Sequence, residues 1–215
     1  MQPFWATLVG DVVDSRRHPD RAQLQSTLTA LLDDVDARVG GTLAITVGDE
    51  FQGRYHTLGE AVEASLRIHL AAHGSVQVRI GLGWGEVVVE APDRGLMGQD
   101  GPAWWRARDA IDTLAGPAGS GQTRVATGTS WDDLLNAYLI LRDSVIGGWD
   151  DVDVSILRAL LAGDTQRAVA GRLGLHESSV SRRVHRRGIG AVLAQASLVI
   201  PLAGELESVT GRAAE

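Results

Sequence analysis

The first apolar run, residues 4–13, is rich in valine and shows no helical spacing, so it predicts a buried strand. Leu24, Leu28, Leu31, Leu32 and Val35 then recur every three or four positions, the stripe of a helix over 20–38. Asp20 after Pro19 suits its start, and Gly40-Gly41 its end. Residues 42–47 and 51–55 predict two strands. Between them, Gly48-Asp49 places glycine at the first central position, as a type II′ hairpin requires. Leu58, Ala61, Val62, Leu66 and Leu70 mark a second helix, and the alternation of Val76, Val78, Ile80 and Leu82 a long strand over 76–89. A Gly/Pro/Asp-rich loop over 91–101 follows. Then come a helix over 102–114, a Gly/Pro/Ser loop, a short strand over 123–126 and a helix over 131–141.

This order, β-α-β-β-α-β and then α-β, predicts an α+β fold of the ferredoxin-like or palm type, a sheet with helices on one face. Gly147-Gly148-Trp149-Asp150-Asp151 is the best boundary, dividing the chain into 1–147 and an all-α part at 148–215. In the second part, residues 152–161 form an amphipathic helix carrying Val154, Leu157, Leu160 and Leu161. Residues 165–184 resemble the helix-turn-helix of sigma-factor region 4. Ala170 is small enough for two helices to cross, Gly174 supplies a positive φ in the turn, and Ser178 is a good helix cap. Val169, Leu173, Leu175, Val180 and Val184 make the small core. Residues 188–206 predict a further helix or short strand that docks back or dimerises, and 210–215 a frayed end.

Charge sharpens this division. The net charge is −7, yet residues 155–190 carry seven Arg against Asp164 and Glu177. An acidic body with a basic module fits a reader of double-stranded DNA. Its recognition helix enters the major groove, with contacts expected from Gln166, Ser178, Ser179, Ser181, Arg182 and Arg183, and backbone contacts from Arg186 and Arg187. Cysteine is absent, which excludes disulfides and thiolate metal sites and fits a cytoplasmic protein. The N-terminus lacks the basic-then-apolar pattern of a secretory signal, and no apolar run reaches membrane-spanning length.

Two acidic clusters carry candidate chemistry. Asp11 and Asp14 end the first strand, while Asp49 and Glu50 occupy the hairpin tip. Asp11 and Asp49 meeting at one sheet edge make a site for a hard cation such as magnesium; separately, each is an ordinary strand-end or turn residue. Trp104 and Trp105 point about 100° apart on a helix, so one packs inward while the other stacks on a base or lies at a dimer interface. Arg106 and Arg108 either meet phosphates or form a solvated face. Gly81, Gly83 and Gly85 share one face of a strand, where a ligand or another backbone can approach.

These residues bring in a family resemblance. Val9-Gly10-Asp11-Val12-Val13-Asp14-Ser15 resembles the first metal motif of class III adenylate and guanylate cyclases. Thr46-Val47-Gly48-Asp49-Glu50-Phe51 resembles their second, and its Gly-Asp-Glu-Phe is also similar to the diguanylate cyclase signature. Arg79 to Val87 and Gly101 to Asp109 resemble the later cyclase strand and helix start. The whole chain resembles the SatD family of cyclase-like proteins. The resemblance implies magnesium at Asp11 and Asp49 and a homodimer. It also implies a purine nucleotide or cyclic (di)nucleotide held around Asp11, Gly48, Asp49, Trp105, Arg106 and Arg108. The pattern is broken where active cyclases carry an Asn and an Arg four residues apart, for here stand Trp105 and Asp109. The chain also has no lysine to select a purine. Binding is therefore better supported than turnover. The reading is a DNA-binding regulator sensing a nucleotide; the alternatives are an active nucleotidyl cyclase with a regulatory module, and a dimerisation scaffold that binds no ligand.

Overall fold

The structure is a computed structural model describing residues 3–115 and 121–210. The elements in chain order are β1 (Phe4–Val12), α1 (Arg21–Val39), β2 (Thr42–Ile45), β3 (Phe51–Tyr55), α2 (Leu58–Ala72), β4 (Val78–Glu86), β5 (Val88–Val89), β6 (Gln99–Asp100), α3 (Pro102–Ala115), β7 (Thr123–Ala126) and α4 (Asp132–Gly147). Four further helices follow: α5 (Asp151–Leu161), α6 (Gln166–Leu173), α7 (Glu177–Arg186) and α8 (Ile189–Thr210). The expected Gly/Pro/Ser loop at 116–120 and the frayed end at 211–215 lie outside the described residues.

Five strands form one sheet in the order β2-β3-β1-β4-β7. β1 runs antiparallel to β3 and β4 on either side, and β7 joins the edge parallel to β4 through the α3 crossover. The mixed α+β class and the palm order follow directly from this topology. At the hairpin, Gly48 has the expected positive φ, 66°, but Ile45 pairs with Phe51 and Thr46 N bonds to Glu50 O, so the loop holds three residues, Val47 to Asp49, instead of the two of the expected type II′ turn. The long strand expected over 76–89 is interrupted. Phe4 at the start of β1 pairs with Glu86, and Val87 N still reaches Pro3 O at 3.3 Å. The chain leaves the sheet and β5 pairs with β6 instead. The helix expected to stop near 141 continues to Gly147 because Arg142 and Asp143 are buried with a polar network of their own.

Alternation on the strands sends Ala6, Leu8, Phe51, Tyr55, Ile80 and Leu82 to one face, where α1, α2 and part of α4 cover them. α2 is buried nearly all round, because α8 crosses its outer side. At that crossing a side chain on Gly59 would lie 2.2 Å from the carbonyl oxygen of Ile200. A second apolar core joins Leu66 and Leu70 of α2 to Trp149, Ile156, Leu157, Val180 and Val192. The helices after Gly147 thus pack onto the sheet domain through α2 and α8. No helix among the described residues is long and apolar enough to cross a membrane.

Candidate functional site

The opposite face of the sheet, expected to carry no helix, is covered by α3 with Leu96 of the loop before β6 beside it, and there the three glycines of β4 do their work. A Cβ on Gly83 would lie 2.0 Å from the Ala103 oxygen, and one on Gly81 2.2 Å from the Ala107 oxygen. Of the two uses expected for that bare strip, the close backbone approach is the one realised: α3 lies directly on the sheet, with Ala103 and Ala107 as its contact residues. Thr7 Oγ1 adds a 2.8 Å bond to the Ala103 carbonyl. This close seat brings the next turn of α3 against the β2–β3 hairpin.

Between that hairpin, α3 and the loop before β6 lies a groove of about 490 Å³. Trp105 and Met97 stand at it, 58% and 59% exposed, with Val47 on the hairpin side. The Trp105 indole donates to Asp100 Oδ1 at 2.7 Å, so its ring is anchored with its face open. Trp104 turns inward, and its Nε1 is a buried donor without a partner among the described residues; Gln99 Oε1 is a buried acceptor in the same state. Both residues line the groove. Arg108 donates to both oxygens of Glu50, at 2.8 and 2.9 Å, and Gln52 adds a 3.1 Å bond. The Arg108 hydrogen bonds hold the Glu50 carboxyl below the usual carboxylate range.

The other expected ligand residues are dispersed. Arg106 turns away from the groove: its guanidinium fills the space left by Gly85 and Gly128 and donates to the Trp84 carbonyl at 2.6 Å. Asp11 shares its face of the sheet with Arg79, which stands opposite it in register and holds it with bonds of 2.9 and 2.7 Å. Gly48 and Asp49 instead border a small recess against α1, beside Arg21 and Gln25. Asp14 is exposed in a left-handed conformation, 4.0 Å from Arg17. Among the described residues no three acidic, histidine or cysteine side chains gather as a metal site would. With Asp11 taken by Arg79 and Glu50 by Arg108, this donor set does not fit magnesium as arranged. Register pairing, which sequence spacing does not reveal, makes Arg79 the residue that sequence reasoning missed here. Gln52, Met97 and Gln99 were missed for the same reason, being brought in by hairpin and loop geometry.

In the C-terminal helices, Gly174 ends α6 in the left-handed conformation, φ 64°, with Leu175 N bonding back to Ala170 O. That leaves only His176 as the residue before α7, so Ser178 lies inside the first turn and is not the cap. Val180 and Val184 are buried. Arg183 and Arg187, expected on DNA, point into the protein: Arg183 meets Asp150 at 2.8 Å and Asp153 at 2.7 Å, and Arg187 Nε meets Asp153 at 2.9 Å. Asp153 is fully buried, so these cations neutralise it. Arg187 also donates to Gly148 O and accepts from the Trp149 indole at its carbonyl. Ser178, Arg182, His185 and Arg186 are exposed, while Gln166, Ser179 and Ser181 are half-buried. Arg182 and Arg186 have no ion-pair partner among the described residues.

No curated protein matches the sequence significantly. Among solved structures, the chain is similar to an adenylate/guanylate cyclase/hydrolase from Silicibacter pomeroyi, at 26% identity over 51% of this chain and 69% of that one, with a TM-score of 0.42. It is similar to the guanylate cyclase domain of a protein from Catenaria anguillulae in complex with GTP, at 20% identity over 52% and 74%, TM-score 0.42. A bacterial light-regulated adenylyl cyclase matches at 14% identity over 58% and 76%, TM-score 0.45. A model of the SatD family matches residues 5–199, nearly the full length, and the chain belongs to that family.

Proposed function

We propose that this protein is a DNA-binding regulator that takes a purine nucleotide or cyclic (di)nucleotide in the groove between the β2–β3 hairpin and α3. The observation that carries the DNA half is the outward face of α7. Arg182 and Arg186 stand one helical turn apart there with Ser178 and His185, without carboxylate partners among the described residues. A cationic strip on the second helix of a Gly-turned pair suits phosphate and base contacts in a major groove. The open face of Trp105 and the unpartnered Trp104 donor and Gln99 acceptor support a ring with polar edges as the groove's occupant. Arg108 supplies a cation for phosphate once Glu50 releases it. Turnover is not part of the reading, since Trp105 and Asp109 hold the places of the cyclase Asn and Arg and Asp11 is held by an arginine.

A thermal-shift screen against nucleotides, cyclic nucleotides and cyclic dinucleotides, with and without magnesium, tests the sensing half. A stabilising ligand whose effect is lost in Trp105→Ala is expected. An unbiased selection from random duplexes tests the output. Enrichment of a sequence, with binding weakened in Arg182→Ala and Arg186→Ala, is expected; failure to retain any duplex ends the DNA reading.

A further inference from the structure

A second cavity, of about 340 Å³, lies where α1 and α2 meet α5 and α6. It is independent of the hairpin groove and has the size of a small-ligand pocket. Four arginines line it: Arg38 and Arg67 from the sheet domain, Arg158 and Arg172 from the later helices. Leu70, Ala71, Val169 and Leu173 form an apolar part of its wall, with Ser155 and Asp34 as its other polar residues.

The cations outnumber their partners. Asp34 is the only acidic residue lining the cavity among the described residues, and Arg38 binds it through three bonds, the shortest 2.8 Å. Arg158 reaches the same carboxylate only at 3.7 Å, beyond hydrogen-bond distance. Asp34 also feels the charge of Arg67. Two guanidinium groups, those of Arg38 and Arg158, therefore share one carboxylate. Arg67 has a side chain only 17% exposed, and its Nε and Nη2 both use a single oxygen of Glu63. Its other terminal nitrogen has no partner among the described residues. Arg158, which makes no side-chain hydrogen bond among the described residues, is the cation left with open donors toward a further anion. Arg172 is paired with Asp164.

We infer that this cavity binds a small organic phosphate or pyrophosphate, its anionic head shared by Arg67, Arg158 and Arg38 and its body laid on Leu70 and Val169. Planar forked donors match phosphate oxygens two at a time. An occupant spans α1–α2 and α5–α6, so its binding fastens the helices that carry α7 to the sheet domain.

The test is a titration of the full chain with sodium pyrophosphate, followed by melting temperature against sodium chloride of equal ionic strength. A saturable rise beyond the chloride control is expected. It should weaken at least tenfold in apparent affinity in Arg158→Gln, whose half-exposed side chain leaves folding intact, and further with Arg67→Gln added. Ala71→Trp, which fills the cavity and keeps every arginine, should abolish it. Trp105→Ala, in the hairpin groove, should leave it unchanged. Absence of a saturable rise overturns the inference, as does a rise that survives both Arg158→Gln and Ala71→Trp. A rise lost in Trp105→Ala also overturns it, by moving the phosphate to the other groove.

Discussion

The two faces of the sheet are packed by opposite means. On one, Leu8, Phe51, Tyr55 and Leu82 meet Leu24, Leu28, Leu32 and Ile68, large side chains interdigitating beneath α1 and α2. On the other, Gly81 and Gly83 receive the backbone of α3 with Ala103 and Ala107 between. The first face derives stability from buried area and tolerates exchange of similar volumes. The second derives position: a helix seated on bare backbone has little freedom to rise or slide, and this is what carries Trp105 and Arg108 to the hairpin. Bulk drives the fold on one side, and the absence of bulk places the candidate site on the other.

The sharpest way to break this contrast is Gly83→Val. Its Cβ meets backbone atoms, which have no rotamer to yield, so the loss should exceed the ~3 kcal/mol usual for overpacking. Urea denaturation measures it, and near-neutral stability would mean that α3 is not seated as described. On the bulky face, Leu32→Ala, at a position 1% exposed, should cost roughly 3–4 kcal/mol by the same measurement.

A pH profile addresses a polar insertion within the bulky face. Arg142 is fully buried and donates to Asp143, to Ser65 at 2.9 Å and to Thr123 at 2.7 Å; His69 shares a 2.7 Å bond with Thr123. Burial pushes His69 from 6.5 down to about 4. Between those values the unfolded chain binds a proton that the folded chain refuses. Stability is therefore full above pH 6.5 and falls toward pH 4, by on the order of 2–3 kcal/mol. His69→Asn should flatten that stretch of the stability curve; an unchanged slope would remove His69 as its source.

The smallest effect belongs to the glycine face. Arg108→Ala breaks a half-exposed pair and should cost only ~0.5 kcal/mol near neutral pH. Because Arg108 holds Glu50 below its ordinary 4.5, this contribution is present above that pH and fades as pH falls further. The gap between the parent protein and Arg108→Ala should close in acid, while ligand stabilisation in the groove drops far more than folding does. Equal losses in both would make Arg108 a structural residue only.

Periodicity made most of the scaffold legible. The spacing of Leu24, Leu28, Leu31, Leu32 and Val35, and the alternation of Val78, Ile80 and Leu82, depend only on helical and strand geometry, so they announce their elements locally. The Gly48 turn was legible for a similar reason, since its positive φ is a property of one residue. The site was legible in part. Trp105 and Arg108 do stand together at the groove, but the partners Glu50 and Asp100 come from outside α3, by register and chain reversal. Asp11 and Asp49, expected to meet at one sheet edge, are kept apart: Asp11, inside β1, faces Arg79 on the α3 side, while Asp49, in the turn, lies against α1.

The sequence by itself determined the order of elements, the glycine turns and the concentration of arginine in the last third of the chain, because each is set by local dihedral preference or by composition. Only the tertiary structure decided what each arginine does. Arg182, Arg183, Arg186 and Arg187 lie within six positions. Yet burial of Val180 and Val184 turns 183 and 187 onto Asp150 and Asp153 and leaves 182 and 186 outward. A helix advances 100° per residue, so neighbours in sequence face different surroundings, and the role of a charge follows from what lies opposite it.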